Sequence, residues 1–152
     1  MTEITTDKPV LFAVDDDPLM LEYIACVAPL AGYIPQTFDS VKKMLERLDE
    51  CPETIILDIS MPDLDGFQAI DVLSERGFAG RLIIASGFYS DVIYMAEMLA
   101  KKKKLNLVGK LSKPFAAVQL QDLLVLPVRH PAYVVEQGSG TVPMTQANGE
   151  TK

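Results

Sequence analysis

Four short stretches place groups capable of ionic or nucleophilic chemistry directly after apolar runs. They are Asp15-Asp16-Asp17-Pro18 after Val10–Val14, Asp58 after Ile55-Ile56-Leu57, Ser86-Gly87 after Leu82–Ala85, and Ser112-Lys113-Pro114 after Leu107–Leu111. A carboxylate ending so apolar a run is costly unless something there needs its charge. Asp17 has an ordinary explanation, because Asp before Pro18 suits a helix N-cap with proline at the first helical position. Capping leaves Asp15 and Asp16 unexplained. If they face Asp58, each like-charged pair costs about 4 kcal/mol at ~4 Å and an effective dielectric of about 20. Something cationic must compensate them. A divalent metal held by hard oxygens would do so, Mg²⁺ in particular tolerating few carboxylates and several waters, and Lys113 adds further positive charge.

The elements that must position these groups follow from hydrophobic period. Val10–Val14 is a short apolar run, followed by a helical stretch with Leu19, Tyr23, Ile24 and Val27 on one side. The unit recurs: 33–38, then a helix with Val41, Met44, Leu45 and Leu48; 54–57, then a helix through Ile70 and Leu73; 81–85, then Val92, Met95, Ala96 and Leu99; 107–111, then Val118, Leu120, Leu123 and Leu124. Pro35 makes the second strand an edge candidate. Such repetition predicts an α/β domain, a parallel sheet with helices on both faces. In open parallel sheets ligands bind beyond the carboxyl ends of the strands, which is where four of the five strands deliver their polar groups.

Composition narrows the class. A chain of 152 residues holds one domain and a tail, and 49% hydrophobic with 23% charged residues allows a real core. The formal charge of −7 argues against a broad grip on nucleic acid or anionic membrane and favours a protein partner. No apolar window approaches the roughly 20 residues of a membrane span, and the polar start MTEITTDKP has no signal-like core, so a cytoplasmic location is expected. Cys26 and Cys51 form no CxxC and are expected to be free thiols with a packing role. Residues 1–7 are expected to be disordered. After Leu126 the texture turns to Pro127, Pro131, Pro143 and a Gly-Ser-Gly stretch, predicting a tail or linker over 127–152, its apolar piece near 132–136 able to dock as a strand or arm.

Taken in order, Val14-Asp15-Asp16-Asp17-Pro18, Leu57-Asp58-Ile59-Ser60-Met61-Pro62 with Asp65-Gly66, Ala85-Ser86-Gly87 and Lys113-Pro114-Phe115 resemble the receiver domain of two-component response regulators. The resemblance spans residues 8–126 and implies a flavodoxin-like fold of sheet order 2-1-3-4-5. It implies that Asp58 accepts a phosphoryl group from a histidine kinase or histidine phosphotransfer protein. It also implies Mg²⁺ on Asp16, Asp58 and the Ser60 backbone carbonyl, with Asp15 acting through water. Lys113 and the Ser86 hydroxyl would each hold a phosphoryl oxygen, and the Lys113–Pro114 bond would be cis. Such a domain catalyses only its own phosphorylation and dephosphorylation, signalling to a downstream protein target or through a homodimer.

The sequence departs from that pattern in two places. Lys110 stands where most receivers carry a Tyr or Phe, and Phe88-Tyr89 could supply a different aromatic gate. The segment between Ser86 and Lys113 also looks longer than usual, ending in Lys101-Lys102-Lys103-Lys104, either a solvated helix end or a docking patch for an acidic partner. No output-domain motif follows Leu126, and the lone His130 lies in the tail. Two other readings compete: a pseudo-receiver that is never phosphorylated, and a haloacid dehalogenase-like phosphatase suggested by Asp63-Leu64-Asp65-Gly66.

Overall fold

The computed structural model describes residues 8–61, 65–87 and 90–125. The tail, the N-terminal residues 1–7, residues 62–64 and the Phe88-Tyr89 pair of the sequence analysis lie outside them. Five strands, β1 (Val10–Val14), β2 (Ile34–Phe38), β3 (Thr54–Asp58), β4 (Arg81–Ser86) and β5 (Asn106–Ser112), form one sheet in the order β2-β1-β3-β4-β5, every pair parallel. Helices α1 (Pro18–Val27), α2 (Val41–Leu45), α3 (Asp65–Glu75), α4 (Ser90–Lys102) and α5 (Ala117–Leu124) alternate with them. This is the flavodoxin-like arrangement expected from the sequence.

Period two explains why the strands look apolar throughout. Phe12, Val14, Ile55, Leu57, Leu82 and Ile84 point to the side covered by α2, α3 and α4. Leu11, Ala13, Ile56, Ile83 and Ala85 point to the other side, under α1 and α5. In the middle of β1, β3 and β4 both faces are buried, so neither register position takes a polar residue until the strand ends, whereas the edge strands β2 and β5 are part-exposed and carry Gln36, Thr37 and Lys110. Pro35 lies in β2, at the sheet edge, as a residue without an N–H should.

A bulge in β5 shifts its register, since Leu82 pairs with Leu107 but Ile83 with Gly109. The extra residue, Val108, packs on the α1–α5 side, and Lys110 returns to the α4 side. At Gly109 the Leu123 side chain of α5 fills the space a Cβ would take, its Cδ2 standing 2.4 Å from that position.

Several apolar residues placed on helix faces by their spacing are not where that spacing put them. Leu19, Met95 and Val118 are 72%, 60% and 58% exposed. The faces that meet the sheet are instead Leu21, Ile24 and Val27 in α1, Ile93, Ala96 and Ala100 in α4, and Leu120 and Leu124 in α5. Each displaced residue sits on its helix off the stripe these define, and an apolar side chain off the stripe has no core to reach. The second helix is also shorter than expected. It stops at Leu45, and Leu48 falls in a 3₁₀ turn after Arg47, whose φ of −110° and ψ of 10° leave the helical region. Cys26 and Cys51 are free, as expected, but both are exposed rather than packed in the core.

At the amino end of the sheet Arg81 makes a tie between elements. Its Nη2 donates to Leu123 O at 2.6 Å and its Nη1 to Leu124 O at 3.5 Å and to Tyr33 Oη at 3.1 Å. The guanidinium thus satisfies carbonyls that α5 leaves open at its C-terminus and complements the negative end of its dipole. Tyr33 Oη in turn shares a 2.8 Å hydrogen bond with the buried Thr54 Oγ1.

Candidate functional site

At the opposite, carboxyl edge of the sheet the expected residues converge. Asp15 follows β1, its N–H donating to Phe38 O of β2 at 3.1 Å. Its Oδ1 accepts the Asp17 N–H at 2.9 Å, which turns the chain into α1. Asp17 caps that helix, its Oδ1 accepting the Leu19 N–H at 3.0 Å with Pro18 at the first helical position. The capping assignment therefore separates Asp17 from its two neighbours, leaving Asp16 exposed and Asp15 only 2% exposed.

Asp58 ends β3 and is also 2% exposed. Its two oxygens have different partners. Oδ1 accepts the Ser60 N–H at 2.9 Å and the Ser60 hydroxyl at 2.6 Å, whereas Oδ2 faces Lys113 Nζ at 3.1 Å. Lys113 Nζ also donates to Asp15 Oδ2 at 2.5 Å, so one ammonium bridges carboxylates from two strands. Its backbone is anchored by Lys113 N–H donating to Ser86 O at 2.9 Å, and the Lys113–Pro114 peptide is cis. Ser86 is buried at the end of β4.

The turn after Asp58 is held from below by α3. A Cβ on Gly66 would lie 2.7 Å from Ile59 Cα and 3.0 Å from Asp58 O, so helix and strand end touch backbone to backbone.

Asp15, Asp16 and Asp58 each offer a carboxylate oxygen, and these oxygens lie within 4.8 Å of one another. An all-carboxylate donor set of this kind is hard and suits a divalent cation such as Mg²⁺ or Ca²⁺ over a soft metal. The electrostatics show the strain of leaving these charges together. Burial pushes the Asp15 carboxyl up to about 6, and the Asp58 charge adds to that push, against the Lys113 and Asp17 hydrogen bonds that draw it down. Burial disfavours the Lys113 cation, but its hydrogen bond to Asp15 and the charges of Asp58 and Asp15 prevail and hold its pKa above the ordinary value. The lysine therefore stays charged, beside an Asp15 carboxyl that burial makes easier to protonate.

Two contacts at and beside the site were missed at the sequence level. Only a backbone carbonyl was expected of Ser60, although a Ser two residues after an Asp is a local side-chain partner that an Asx-type turn makes visible in the sequence. Lys110, at the position where the resemblance implies an aromatic, has a side chain that is 46% exposed but not idle. Its Nζ donates to Glu97 Oε1 at 2.8 Å, while Lys101 holds Glu97 Oε2 at 3.0 Å. These two bonds, Lys110 first, hold the Glu97 carboxyl below its usual range. Lys103, from the same basic run, pairs with Asp71 of α3 at 3.4 Å.

The chain matches the response regulator receiver domain family over residues 11–125. It is 31% identical over 121 residues to the transcriptional regulatory protein TdiR of Thauera aromatica, covering 79% of this chain and 50% of that one. It is 27% identical over 119 residues to the signal transduction histidine-protein kinase BarA of Escherichia coli, covering 76% of this chain and 12% of that one. Among solved structures, a response regulator from Colwellia psychrerythraea superposes with a TM-score of 0.69 at 30% identity, covering 78% of this chain and 94% of that one.

The chain belongs to the receiver domain family of two-component response regulators. It is a signalling domain, not an enzyme of the ordinary kind, and the domains of this family work between histidine kinases and downstream targets. It spans half or less of the length of these two curated relatives. Among the described residues, no helix is long and apolar enough to cross a membrane. The phosphatase reading is not favoured: β3 ends at Asp58, whereas Asp65 begins α3. The pseudo-receiver reading is not favoured either, because acceptor, acidic and lysine positions are all filled and meet.

Proposed function

We propose that Asp58 is the phosphoacceptor of this receiver, taking a phosphoryl group from a histidine kinase or phosphotransfer protein. The observation that carries this reading is the Lys113 ammonium bridging Asp15 and Asp58, with Asp16 beside them. Phosphoryl transfer asks for positioning and charge neutralisation rather than elaborate covalent machinery, and that is what these groups supply. Asp16, Asp58 and the Ser60 carbonyl would hold Mg²⁺ directly and Asp15 through water. When bound, Mg²⁺ neutralises charge on the phosphoryl oxygens. Lys113 leaves Asp58 Oδ2 for a phosphoryl oxygen while keeping Asp15, and the buried Ser86 hydroxyl holds another. Domain bounds of 8–126 and a separate tail over 127–152 belong to the same proposal, as does a cytoplasmic location.

The test is intact mass after incubation with Mg²⁺ and acetyl phosphate, where the gain of a single phosphoryl group is expected. A chain that gains none, and binds no beryllofluoride, is not a phosphoacceptor.

Two metal titrations follow from the acidic cluster. Asp16→Asn is expected to weaken Mg²⁺ binding at least tenfold, whereas Asp17→Asn, which alters only the helix cap, changes it less than about twofold. Equal losses would mean that the acidic run is wrongly divided. Binding should also be proton-linked. Asp15 sits above its ordinary value, at about 6, so below that pH it is protonated in the metal-free protein and must release the proton when its charge is needed. Mg²⁺ affinity of the unmodified chain is therefore expected to fall by about tenfold from pH 7 to pH 5, one proton per pH unit below the pKa. Calorimetry at the two pH values decides it, and a flat affinity would remove Asp15 from the site.

A further inference from the structure

The Lys113 ammonium bridges Asp15 and Asp58, yet it ends a flexible four-carbon stem, so its place is only as definite as the backbone it grows from. That backbone is pinned on two sides. Lys113 N–H donates to Ser86 O of β4 at 2.9 Å, and two residues on, Phe115 O accepts the Tyr23 hydroxyl of α1 at 3.0 Å. The Tyr23 and Phe115 rings also pack together, tilted by 50° with centroids 5.7 Å apart. Phe115 is buried and Tyr23 half-buried. The same helix starts from the acidic run, with Asp17 capping it one residue after Asp16. A single rigid element thus gauges both the acids, at its start, and the root of the lysine, in its middle.

We infer that Tyr23 is a positioning residue for phosphoryl transfer, its hydroxyl fixing the turn that carries Lys113 so that the ammonium stands between Asp15 and Asp58. The inference rests on Asp58 being the phosphoacceptor. Ring and hydroxyl have separable tasks: the ring packs against Phe115, and the hydroxyl orients the Phe115 carbonyl. Without the hydroxyl the ring contact remains, but the carbonyl can turn and the root of Lys113 gains room. Phosphoryl transfer depends on groups already standing where the reaction needs them, so a small displacement of the neutralising cation is felt in the rate. The acids lie on other segments of the chain, and their hold on a metal should not follow the turn.

Tyr23→Phe keeps the ring and removes the hydroxyl. Tyr33→Phe is the control, deleting a hydroxyl that bonds Thr54 Oγ1 at the opposite edge of the sheet. In metal-free Tyr23→Phe, exchange of the Lys113 N–H, followed by NMR, is expected to quicken about fivefold, the worth of one lost hydrogen bond. Ile59 N–H, which donates to Ala85 O at the site's own edge, should keep its parent rate. With Mg²⁺ and acetyl phosphate, adduct formation followed by intact mass is expected to slow about fivefold, while Mg²⁺ affinity stays within about twofold of the parent's. Tyr33→Phe should match the parent in Lys113 exchange and in adduct formation, as any hydroxyl deletion with a merely structural cost would. The inference is overturned if Tyr23→Phe leaves either quantity unchanged, if Mg²⁺ affinity falls along with the rate, or if Tyr33→Phe slows the reaction equally. It is overturned as well if Ile59 N–H quickens as much as Lys113 N–H, since the whole edge would then have loosened. A parent chain that gains no phosphoryl group sinks the phosphoacceptor reading instead, a result distinct from an adduct that forms at the parent rate in Tyr23→Phe.

Discussion

Asp58→Asn is expected to abolish the mass gain of one phosphoryl group entirely. The amide carries no anionic oxygen to attack phosphorus, and the neighbouring Asp15 is held by Lys113 and the Asp17 N–H. Lys113 retains Asp15 at 2.5 Å, so the cation stays at the site. The loss should come from chemistry and not from unfolding. Asn matches Asp in shape and its carbonyl oxygen can keep both Ser60 donors, while the loss of the Lys113–Asp58 ion pair is set against relief of the repulsion between two buried carboxylates. Urea unfolding of the variant should still show a single cooperative transition, as in the parent. A phosphoserine or phosphohistidine adduct persisting in the variant would mean that the phosphoryl group sits elsewhere.

The second large effect is steric and lies behind the site. In Gly66→Ala the new Cβ would stand 2.7 Å from Ile59 Cα and 3.0 Å from both Asp58 O and Ile59 Cγ2. Two of these are main-chain atoms at the end of β3, where Ile59 N–H is tied to Ala85 O at 2.9 Å, so they cannot swing aside as a flexible side chain would. Either α3 retreats or the strap from Asp58 to Ser60 moves. The cost expected for such overpacking is about 3 kcal/mol, the upper part of the usual range, because backbone must yield. With a urea m-value of about 1.5 kcal/mol/M for a domain of this size, the midpoint should fall by about 2 M. A shift below about 0.5 M would show that α3 accommodates the methyl, and that Gly66 is not what sets its distance from the strand.

These effects show why some of the protein is legible in one dimension and some is not. β1, β3 and β4 are buried on both faces and must be apolar until they end, so the arrival of Asp15, Asp58 and Ser86 marks strand ends as clearly as a turn does, whereas Lys113 follows a part-exposed edge strand that already carries Lys110. Pro35 at an edge and Asp17 at a cap are legible because each follows from one residue's local chemistry, a missing N–H in Pro35 and a side-chain acceptor in Asp17. Helix faces are less legible. Leu19, Met95 and Val118 have the right chemistry for a core, but burial is decided by which stripe the sheet meets, and that depends on a contact far away in sequence. Cys26 was misjudged on the habits of its residue type, though it lies off the Leu21–Ile24–Val27 stripe of α1. Glu97 as the partner of Lys110 was hidden more deeply, because the bulge at Val108 must first turn Lys110 toward α4.

The Arg81 tie has a mechanical consequence. Arg81 stands at the foot of β4 and Ser86 at its head, so one strand joins an anchor to a reacting end. Five steps of about 3.3 Å separate them by roughly 17 Å. Val125 follows α5 and stands at the anchor end. A displacement at Asp58 has a stiff route to it, with β4 as a connecting rod and α5 gripped at its far end. Softening that grip should leave the chemistry at Asp58 intact and uncouple it from motion at Val125, as a slipped clutch leaves an engine running.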